Sequence, residues 1–249
     1  MNELRLAVSW LTVIPVGGPD NVDRGTAGQA IALAPLVGGA LGAAAAGLLW
    51  VLIFAGVTAP LAGLLVVAAL ALITRGMHLD GLADTMDGLG SYGPPERARQ
   101  IMKSGSVGAF GAAAIVFSIA VQAFSFAALA QAERWFAVIL AVVVGRVAVV
   151  LACRHGISAA PGTGFGALVA GTQSSLIVIV WAAASVAAGI SVVPEHHWLG
   201  PVVVVLVLII SAVLVGHCLH RFGGLSGDVL GATLEISVSL TAAALAFGA

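Results

Sequence analysis

The sequence predicts an all-α integral membrane protein, a helical bundle with about seven transmembrane helices and a cytoplasmic N-terminus. Three observations lead to this fold class: 60% of the 249 residues are hydrophobic, only 8% are charged, and long apolar stretches recur along the chain. A soluble domain carries about 25% charged residues, and one membrane crossing takes about 20 apolar residues. We therefore expect residues 1–249 to form a single integral membrane domain.

The apolar stretches locate the individual helices of this bundle. Residues 1–27 hold charges around a Pro- and Gly-rich turn, so we expect them outside the bilayer core, with an interfacial helix near 6–16. Pro60 favours the start of a helix. The longest polar segment, 76–106, is predicted to be a cytoplasmic active-site region. The predicted spans are residues 31–55, 60–73, 107–131, 135–153, 174–193, 198–218 and 229–248.

The distribution of basic residues predicts the orientation. With seven spans and a cytoplasmic N-terminus, only Arg134 falls on the outer side, and Arg146 lies within a span. This bias follows the positive-inside rule. It also brings segment 76–106 and Asp228 to the same membrane face. The basic residues on the cytoplasmic side are Arg5, Arg24, Arg75, Arg97, Arg99, Lys103, Arg154 and Arg221.

Three carboxylates stand within eight residues of segment 76–106, in a chain that is otherwise nearly uncharged. Asp80, Asp84 and Asp87 are separated by four and three positions, which places them on one face of a helix. Like charges gathered in this way favour a bound divalent cation, because hard cations take carboxylate oxygens. A solvated acidic loop is the alternative interpretation.

A basic segment rich in Ser and Gly precedes the next predicted span. Arg99 and Lys103 lead into Ser104 and Ser106, and free backbone N–H groups at the following helix start would suit a phosphate. The alternative is a set of interfacial anchors, which also favours Arg and Lys.

Ionisable residues also occur in the later spans. Asp228 opens the last predicted helix, and Glu235 lies two turns further on the same face, inside the membrane. An intramembrane charge is a functional candidate, although a structural pair with Arg146 would also explain Glu235. His78 adjoins the acidic motif, where it could orient a carboxylate, bind phosphate or play a structural role.

Together these residues predict a cytoplasm-facing pocket for metal-assisted phosphoryl-type transfer. The sequence has no basic patch for nucleic acid, and Cys153 and Cys218 lack metal-type spacing. The predicted catalytic residues are Asp84, Asp87 and Asp228. The predicted metal ligands are Asp80, Asp84, Asp87, Asp228 and Glu235. The predicted phosphate or substrate contacts are His78, Arg99, Lys103, Ser104, Ser106, Arg146 and Arg221.

At residues 11–16, 78–88, 101–108 and 223–232 the sequence resembles the adenosylcobinamide-GDP ribazoletransferase family, also called cobalamin-5′-phosphate synthase. The resemblance implies a multi-pass enzyme of the bacterial inner membrane that depends on Mg²⁺ and faces the cytoplasm. It implies transfer of the adenosylcobinamide phosphate group from adenosylcobinamide-GDP to α-ribazole or its 5′-phosphate, with release of GMP. It leaves open whether the chain forms a homo-oligomer.

The sequence departs from the family pattern in two places. Family members often carry an acid where this chain has Ser104 and Ser106, and another Glu near the position of Ser239. The spacing Asp84-x-x-Asp87-Gly88 also resembles half of the CDP-alcohol phosphotransferase signature, so a lipid phosphotransferase is an alternative. A cation or small-solute transporter is a second alternative, which the crowding of charges at one face disfavours.

Overall fold

In the computed structural model, residues 2–17, 21–162 and 164–247 are described, and they are organised as twelve α-helices. The predicted all-α fold class is thereby confirmed. Pro95 opens α6 and Pro60 lies in the first turn of α4, as their fixed φ favours. The helices are α1 (Asn2–Leu11), α2 (Arg24–Ala32), α3 (Ala34–Phe54), α4 (Ala59–Ile73), α5 (Met77–Gly90), α6 (Pro95–Met102), α7 (Ala109–Gln131), α8 (Trp135–Ala152), α9 (Gly164–Val169), α10 (Ser175–Gly189), α11 (Leu199–Phe222) and α12 (Gly227–Leu245).

Among the described residues, five helical segments are long and apolar enough to cross a membrane: Arg24–Phe54, which joins α2 and α3, and helices α7, α8, α11 and α12. The α4–α5 pair adds a sixth if it counts as one broken span, and α10 is a shorter apolar helix. The chain is therefore a multi-pass membrane protein. The number seven and the cytoplasmic side of the N-terminus stay predictions.

Helix α8 forms the centre of the bundle, with buried side chains on all of its faces. Helices α3 and α12 both pack along it. Glycines permit this close approach: a Cβ on Gly42 would lie 2.9 Å from the Ile139 Cα, and one on Gly145 would lie 2.6 Å from a Val238 methyl. In a bilayer the hydrophobic effect does not drive helices together, and small residues at their contacts permit the close packing that does.

Helix α5 does not continue the direction of α4. The two axes differ by 92° at a short break, where Arg75 and Gly76 both adopt positive φ, 58° and 66°. The left-handed backbone is unfavourable for Arg and easy for Gly. This bend turns the acidic helix away from the α4 direction and packs it against α12 and α7.

Candidate active site

The crossing of α5 and α12 brings the two acidic motifs together. A Cβ on Gly81 would lie 2.8 Å from the Asp228 carbonyl oxygen, and a Cβ on Gly231 would lie 3.1 Å from the His78 carbonyl oxygen. Each helix therefore presents a glycine to the backbone of the other. This contact places Asp80, one residue before Gly81, beside Asp228.

A cavity of about 420 Å³ opens at this crossing, and we call it the aspartate cavity. Asp80 and Asp228 line it together with two cations, Arg75 and Arg146, and with His78. The remaining lining is apolar except for the backbone of two glycines: Trp10, Leu11, Ile31, Ala34, Met77, Val149, Phe165, Gly227, Leu230, Gly231 and Leu234. The site thus joins carboxylates and cations to a largely apolar wall.

Asp84 does not line the aspartate cavity, but its charge interacts with all three neighbouring aspartates. Burial of its side chain, followed by the charges of Asp80, Asp228 and Asp87, raises the pKa of the Asp84 carboxyl to about 6. Like charges within about 4–6 Å disfavour ionisation of each other. Burial and the three neighbouring charges thus both favour the protonated form of Asp84.

Asp87 fixes the start of α7. One carboxylate oxygen accepts a hydrogen bond from the Gly108 N–H at 2.6 Å, and the other accepts one from the Gly111 N–H at 2.8 Å. A carboxylate at a helix N-terminus satisfies donors that have no partner within the helix. Asp87 thereby ties α5 to α7 across 21 and 24 residues of sequence.

A second depression, of about 430 Å³, lies at the far end of α5, and we call it the serine groove. Ser104 and Ser106 line it, with their hydroxyl oxygens 3.0 Å apart. Arg97 and Phe110 are exposed within it. The other lining residues are Asp87, Gly90, Ser91, Gln100, Ile101 and Gly108, none of which lines the aspartate cavity.

Three cations predicted to contact phosphate donate to backbone carbonyls. Arg99 donates to the Phe222 carbonyl at 2.8 Å, and Arg221 donates to the Ser91 carbonyl at 2.9 Å. Lys103 donates to the Gly162 carbonyl at 2.9 Å and is near enough to Asp228 for their charges to interact. These bonds join α6, the end of α11 and the loop before α9. Their phosphate role stays a prediction.

Glu235 lies in a separate polar cluster within the bundle. Gln122 Nε2 donates to its carboxylate at 2.7 Å, and Ser118 donates at 3.5 Å. Glu235 and Arg146 line a cavity of about 20 Å³, which has room for about one water molecule. The opposite charges of Glu235 and Arg146 interact. The two interpretations of Glu235 from sequence, a functional carboxylate and a structural ion pair, therefore both involve Arg146 in the structure.

Arg146 and His78 line both this small cavity and the aspartate cavity. The Arg146 side chain is buried, and within the described ranges its Nε atom has no hydrogen-bond partner. Burial, and then the charge of Arg146, lower the pKa of His78 to about 3. His78 is therefore neutral at physiological pH and can accept as well as donate a hydrogen bond.

The acidic residues are arranged to bind Mg²⁺ jointly with a substrate phosphate rather than to surround the ion with protein ligands alone. Over residues 2–17, 21–162 and 164–247, no group of three or more His, Cys, Asp and Glu side chains lies close enough to hold one ion. Mg²⁺ commonly keeps several waters and takes one or two carboxylates together with phosphate oxygens. Asp80 and Asp228, facing one cavity, supply that donor set.

Sequence reasoning missed three residues of this site. Arg75 was counted only as a cytoplasmic charge, and Trp10 and Phe165 were not singled out, although all three line the aspartate cavity. No local pattern marks these residues, because they come from α1, α9 and the α4–α5 break. Gly81 and Gly231 carried a usable signal, since each lies within three residues of a predicted acidic ligand.

Comparison with known proteins assigns the family. The family model described as cobalamin-5-phosphate synthase matches residues 3–246. A curated adenosylcobinamide-GDP ribazoletransferase of Corynebacterium efficiens is 37% identical over 241 residues, covering 95% of this chain and 88% of the relative. Proteins of the same name are 36% identical in Frankia casuarinae, covering 97% of this chain and 93% of the relative, and 37% identical in Nocardioides, covering 95% of each. No solved structure matches significantly. With its acidic crossing embedded in a multi-pass bundle, the chain belongs to the cobalamin-5-phosphate synthase family.

Proposed function

We propose that this chain is a transferase that carries out the final nucleotide-loop assembly step of cobalamin biosynthesis. It transfers the adenosylcobinamide phosphate group from adenosylcobinamide-GDP to α-ribazole or its 5′-phosphate and releases GMP. The names of its relatives support this activity. The single observation that carries it is the aspartate cavity, where Asp80 and Asp228 meet Arg75 and Arg146.

In the proposed reaction, a ribose hydroxyl of α-ribazole attacks the phosphorus bonded to the aminopropanol arm of the corrinoid. A new O–P bond forms, the P–O bond to GMP breaks, and GMP leaves with the bonding electrons. The proton of the hydroxyl passes to a carboxylate, for which we propose Asp84, by way of one water molecule, because Asp84 neighbours Asp80 and Asp228 without lining the cavity itself. Its pKa of about 6 suits a general base, because such a group is mostly ionised at neutral pH and still accepts a proton readily.

We propose that Asp80 and Asp228, which face one cavity, hold Mg²⁺ together with the substrate phosphates, while Asp84, whose charge interacts with both, stays a predicted ligand. The ion, when bound, would neutralise charge on the phosphates and on the leaving oxygen. The interaction of each of these carboxylates with another supports this set, since a cation among them would relieve their repulsion. Asp87 and Glu235 stay predicted ligands, but each already accepts two hydrogen bonds from the protein.

We assign the guanosine diphosphate portion of the donor to the serine groove. Ser104, Ser106 and the exposed Arg97 offer hydroxyl and guanidinium donors there, which suit phosphate oxygens. The serines stand where other family members often carry an acid, and hydroxyls do not repel a phosphate. Lys103, near Asp228 and one residue before Ser104, would stabilise negative charge between the groove and the cavity.

We propose that the bundle lies in the bacterial inner membrane with both depressions facing the cytoplasm. The excess of Lys and Arg predicted on that side supports this orientation. The bilayer is then its permanent surrounding, and its substrates reach it from the aqueous side.

The purified chain in detergent or liposomes should release GMP from adenosylcobinamide-GDP only when α-ribazole and Mg²⁺ are both present. Asp84→Asn should reduce this rate by about 100-fold or more, since removing a positioned acid–base group costs about 10²–10⁴. Glu133→Gln, an exposed carboxyl outside the site, is the matched control and should keep the full rate. Undiminished GMP release by Asp84→Asn would contradict the assignment of the site.

The same preparation distinguishes the lipid phosphotransferase alternative. Supplied with CDP-diacylglycerol in place of adenosylcobinamide-GDP, the chain should release no CMP. CMP release without any GMP release would replace the proposed reaction with the lipid reaction.

A further inference from the structure

Two aromatic rings from distant parts of the chain form one wall of the aspartate cavity. Trp10, on α1, and Phe165, on α9, lie with ring centroids 5.1 Å apart and planes at 67°. This is the edge-to-face arrangement that aromatic pairs prefer. The wall faces a cavity that also contains the Asp80 and Asp228 carboxylates.

Both rings are held in position by arginine clamps. Arg75 donates to the Ser9 carbonyl at 2.6 Å and to the Thr12 carbonyl at 2.7 Å, which fixes the backbone on each side of Trp10. Arg24 donates to the Ala167 carbonyl and, at 2.6 Å, to the Ala170 carbonyl, which fixes the helix that carries Phe165. A guanidinium bound to two carbonyls restricts both position and direction. The wall is therefore preorganised.

The wall adjoins the carboxylate end of the cavity. A Cβ on Gly227 would lie 3.6 Å from Phe165 Cδ1, and Gly227 immediately precedes Asp228. Buried aliphatic side chains, among them Ile31 and Leu230, line the cavity as well. A flat apolar group would find ring faces and aliphatic surface here, and hydroxyls attached to that group would reach the carboxylates.

The volume of the cavity indicates which of the two substrates it can accommodate. Small-molecule sites commonly measure about 300–1,000 Å³, and the aspartate cavity, at about 420 Å³, is in the range for a nucleoside. A corrin macrocycle with its side chains is several times larger than a nucleoside and does not fit in this space. The buried Arg146, whose Nε lacks a hydrogen-bond partner in the described part of the chain, also lines the cavity and indicates a polar ligand.

We propose that the aspartate cavity is the binding site of the acceptor nucleoside, with its planar aromatic base against Trp10 and Phe165 and its ribose toward Asp80 and Asp228. This inference rests on the proposed function. It makes Trp10 and Phe165 the residues that select an aromatic base. Arg24 and Arg75 are then positioning residues, because they hold the segments that carry Phe165 and Trp10.

Direct binding of α-ribazole to the full-length chain in detergent, without donor nucleotide, tests this site by calorimetry. Trp10→Leu should weaken binding about tenfold, because removing an aromatic partner of a stacked base has effects of this order. Trp10→Phe should keep the affinity within about threefold of the parent chain, since a ring remains. Free benzimidazole should compete with α-ribazole for the parent chain.

A second aromatic pair in the same molecule provides the matched control. Trp50 and Phe54 stack at 5.4 Å on α3, and neither lines the aspartate cavity. Trp50→Leu should therefore leave α-ribazole binding unchanged. Phe165→Leu gives an independent test should Trp10→Leu fail to fold, and it should also weaken binding about tenfold.

The outcomes separate this inference from the proposed function. Unchanged α-ribazole affinity in Trp10→Leu and Phe165→Leu, with GMP release intact in the parent chain, would overturn the site and leave the reaction standing. Binding that depends on Trp10, with no GMP release by the parent chain, would support the site and overturn the reaction. Absence of α-ribazole binding, or competition by a short-chain phospholipid instead of benzimidazole, would overturn the inference.

Discussion

The aspartate cavity and the serine groove lie toward opposite ends of α5 and have nearly equal volumes, about 420 and 430 Å³. They differ in their walls. The cavity is lined by Arg75 and by residues of seven helices, and most of its side chains are apolar; the helices are α1, α2, α3, α5, α8, α9 and α12. The groove lies at the surface of α6 and the start of α7, and Arg97, Ser104 and Ser106 are exposed in it. The first suits a compact acceptor with an apolar base, and the second suits the charged end of a donor too large to be enclosed.

The aspartates on one face of α5 also differ according to whether they lie beside the aspartate cavity or beside the serine groove. Asp80 faces the cavity beside Asp228, whereas Asp87 uses both carboxylate oxygens to hold the start of α7 beside the groove. Asp84 lies between them and carries the raised pKa. A regular acidic spacing therefore does not imply equal roles. Tertiary partners divide the motif into an end that faces the cavity, a centre with a raised carboxyl pKa and an end anchored to α7.

Separating α5 from α12 should have the largest effect. Gly81→Ala would place a methyl 2.8 Å from the Asp228 carbonyl oxygen, and backbone cannot move aside as a side chain can. Overpacking costs about 1–3 kcal/mol, and a displacement of about 1 Å in a site can cost about 10²-fold in rate. We expect GMP release to fall about 100-fold and the Tm to fall by several degrees.

Gly47→Ala is the matched control for this change, because no atom lies within 4 Å of a Cβ at that helical position. It should leave the rate unchanged, and its Tm should stay the same or rise slightly. A fully active Gly81→Ala protein would show that the close crossing is not required, and the contrast between cavity and groove would lose its basis.

A smaller effect is expected from the pH dependence of Asp84. Because its folded-state pKa is raised from 3.8 to about 6, its contribution to stability is fully present below pH 3.8 and is lost as pH rises through about 6. In magnesium-free buffer, Asp84→Asn should therefore have the higher Tm at pH 7, and this advantage should shrink toward pH 4. Thermal unfolding across this range measures the difference.

Added Mg²⁺ provides the control for this measurement. It should raise the Tm of the parent chain at pH 7, because a ligand that binds the folded state stabilises it. It should raise the Tm of Asp84→Asn less. Equal Mg²⁺ stabilisation of the two proteins would show that the charge of Asp84 does not contribute to Mg²⁺ binding.

The helices of this fold could be predicted from sequence because their signals are local. Apolar runs predicted the long helices, and Pro60 and Asp228 fall in the first turns of α4 and α12 as expected. The carboxylates of α5 were recognisable because their spacing of four and three is itself a helical period. Fold class and family could therefore be predicted before any tertiary contact was known.

The partners of those residues could not be predicted, because they depend on contacts between distant segments. The 92° bend before α5 requires positive φ at Arg75, which no propensity favours. Glu235 meets Gln122 across 113 residues of sequence, and Trp10 meets Phe165 across 155 residues. Periodicity reports which face of a helix is buried, but not which residue of another helix covers it.

The division of the two substrates between cavity and groove is the central claim, and steady-state kinetics with both substrates test it most directly. We expect Arg97→Gln to raise KM for adenosylcobinamide-GDP about fivefold, a loss of about 1 kcal/mol, and to leave KM for α-ribazole unchanged. Trp10→Leu should do the reverse, and Arg5→Gln, another exposed arginine, should change neither constant. A rise in both constants for each variant, or the opposite pairing, would contradict the account.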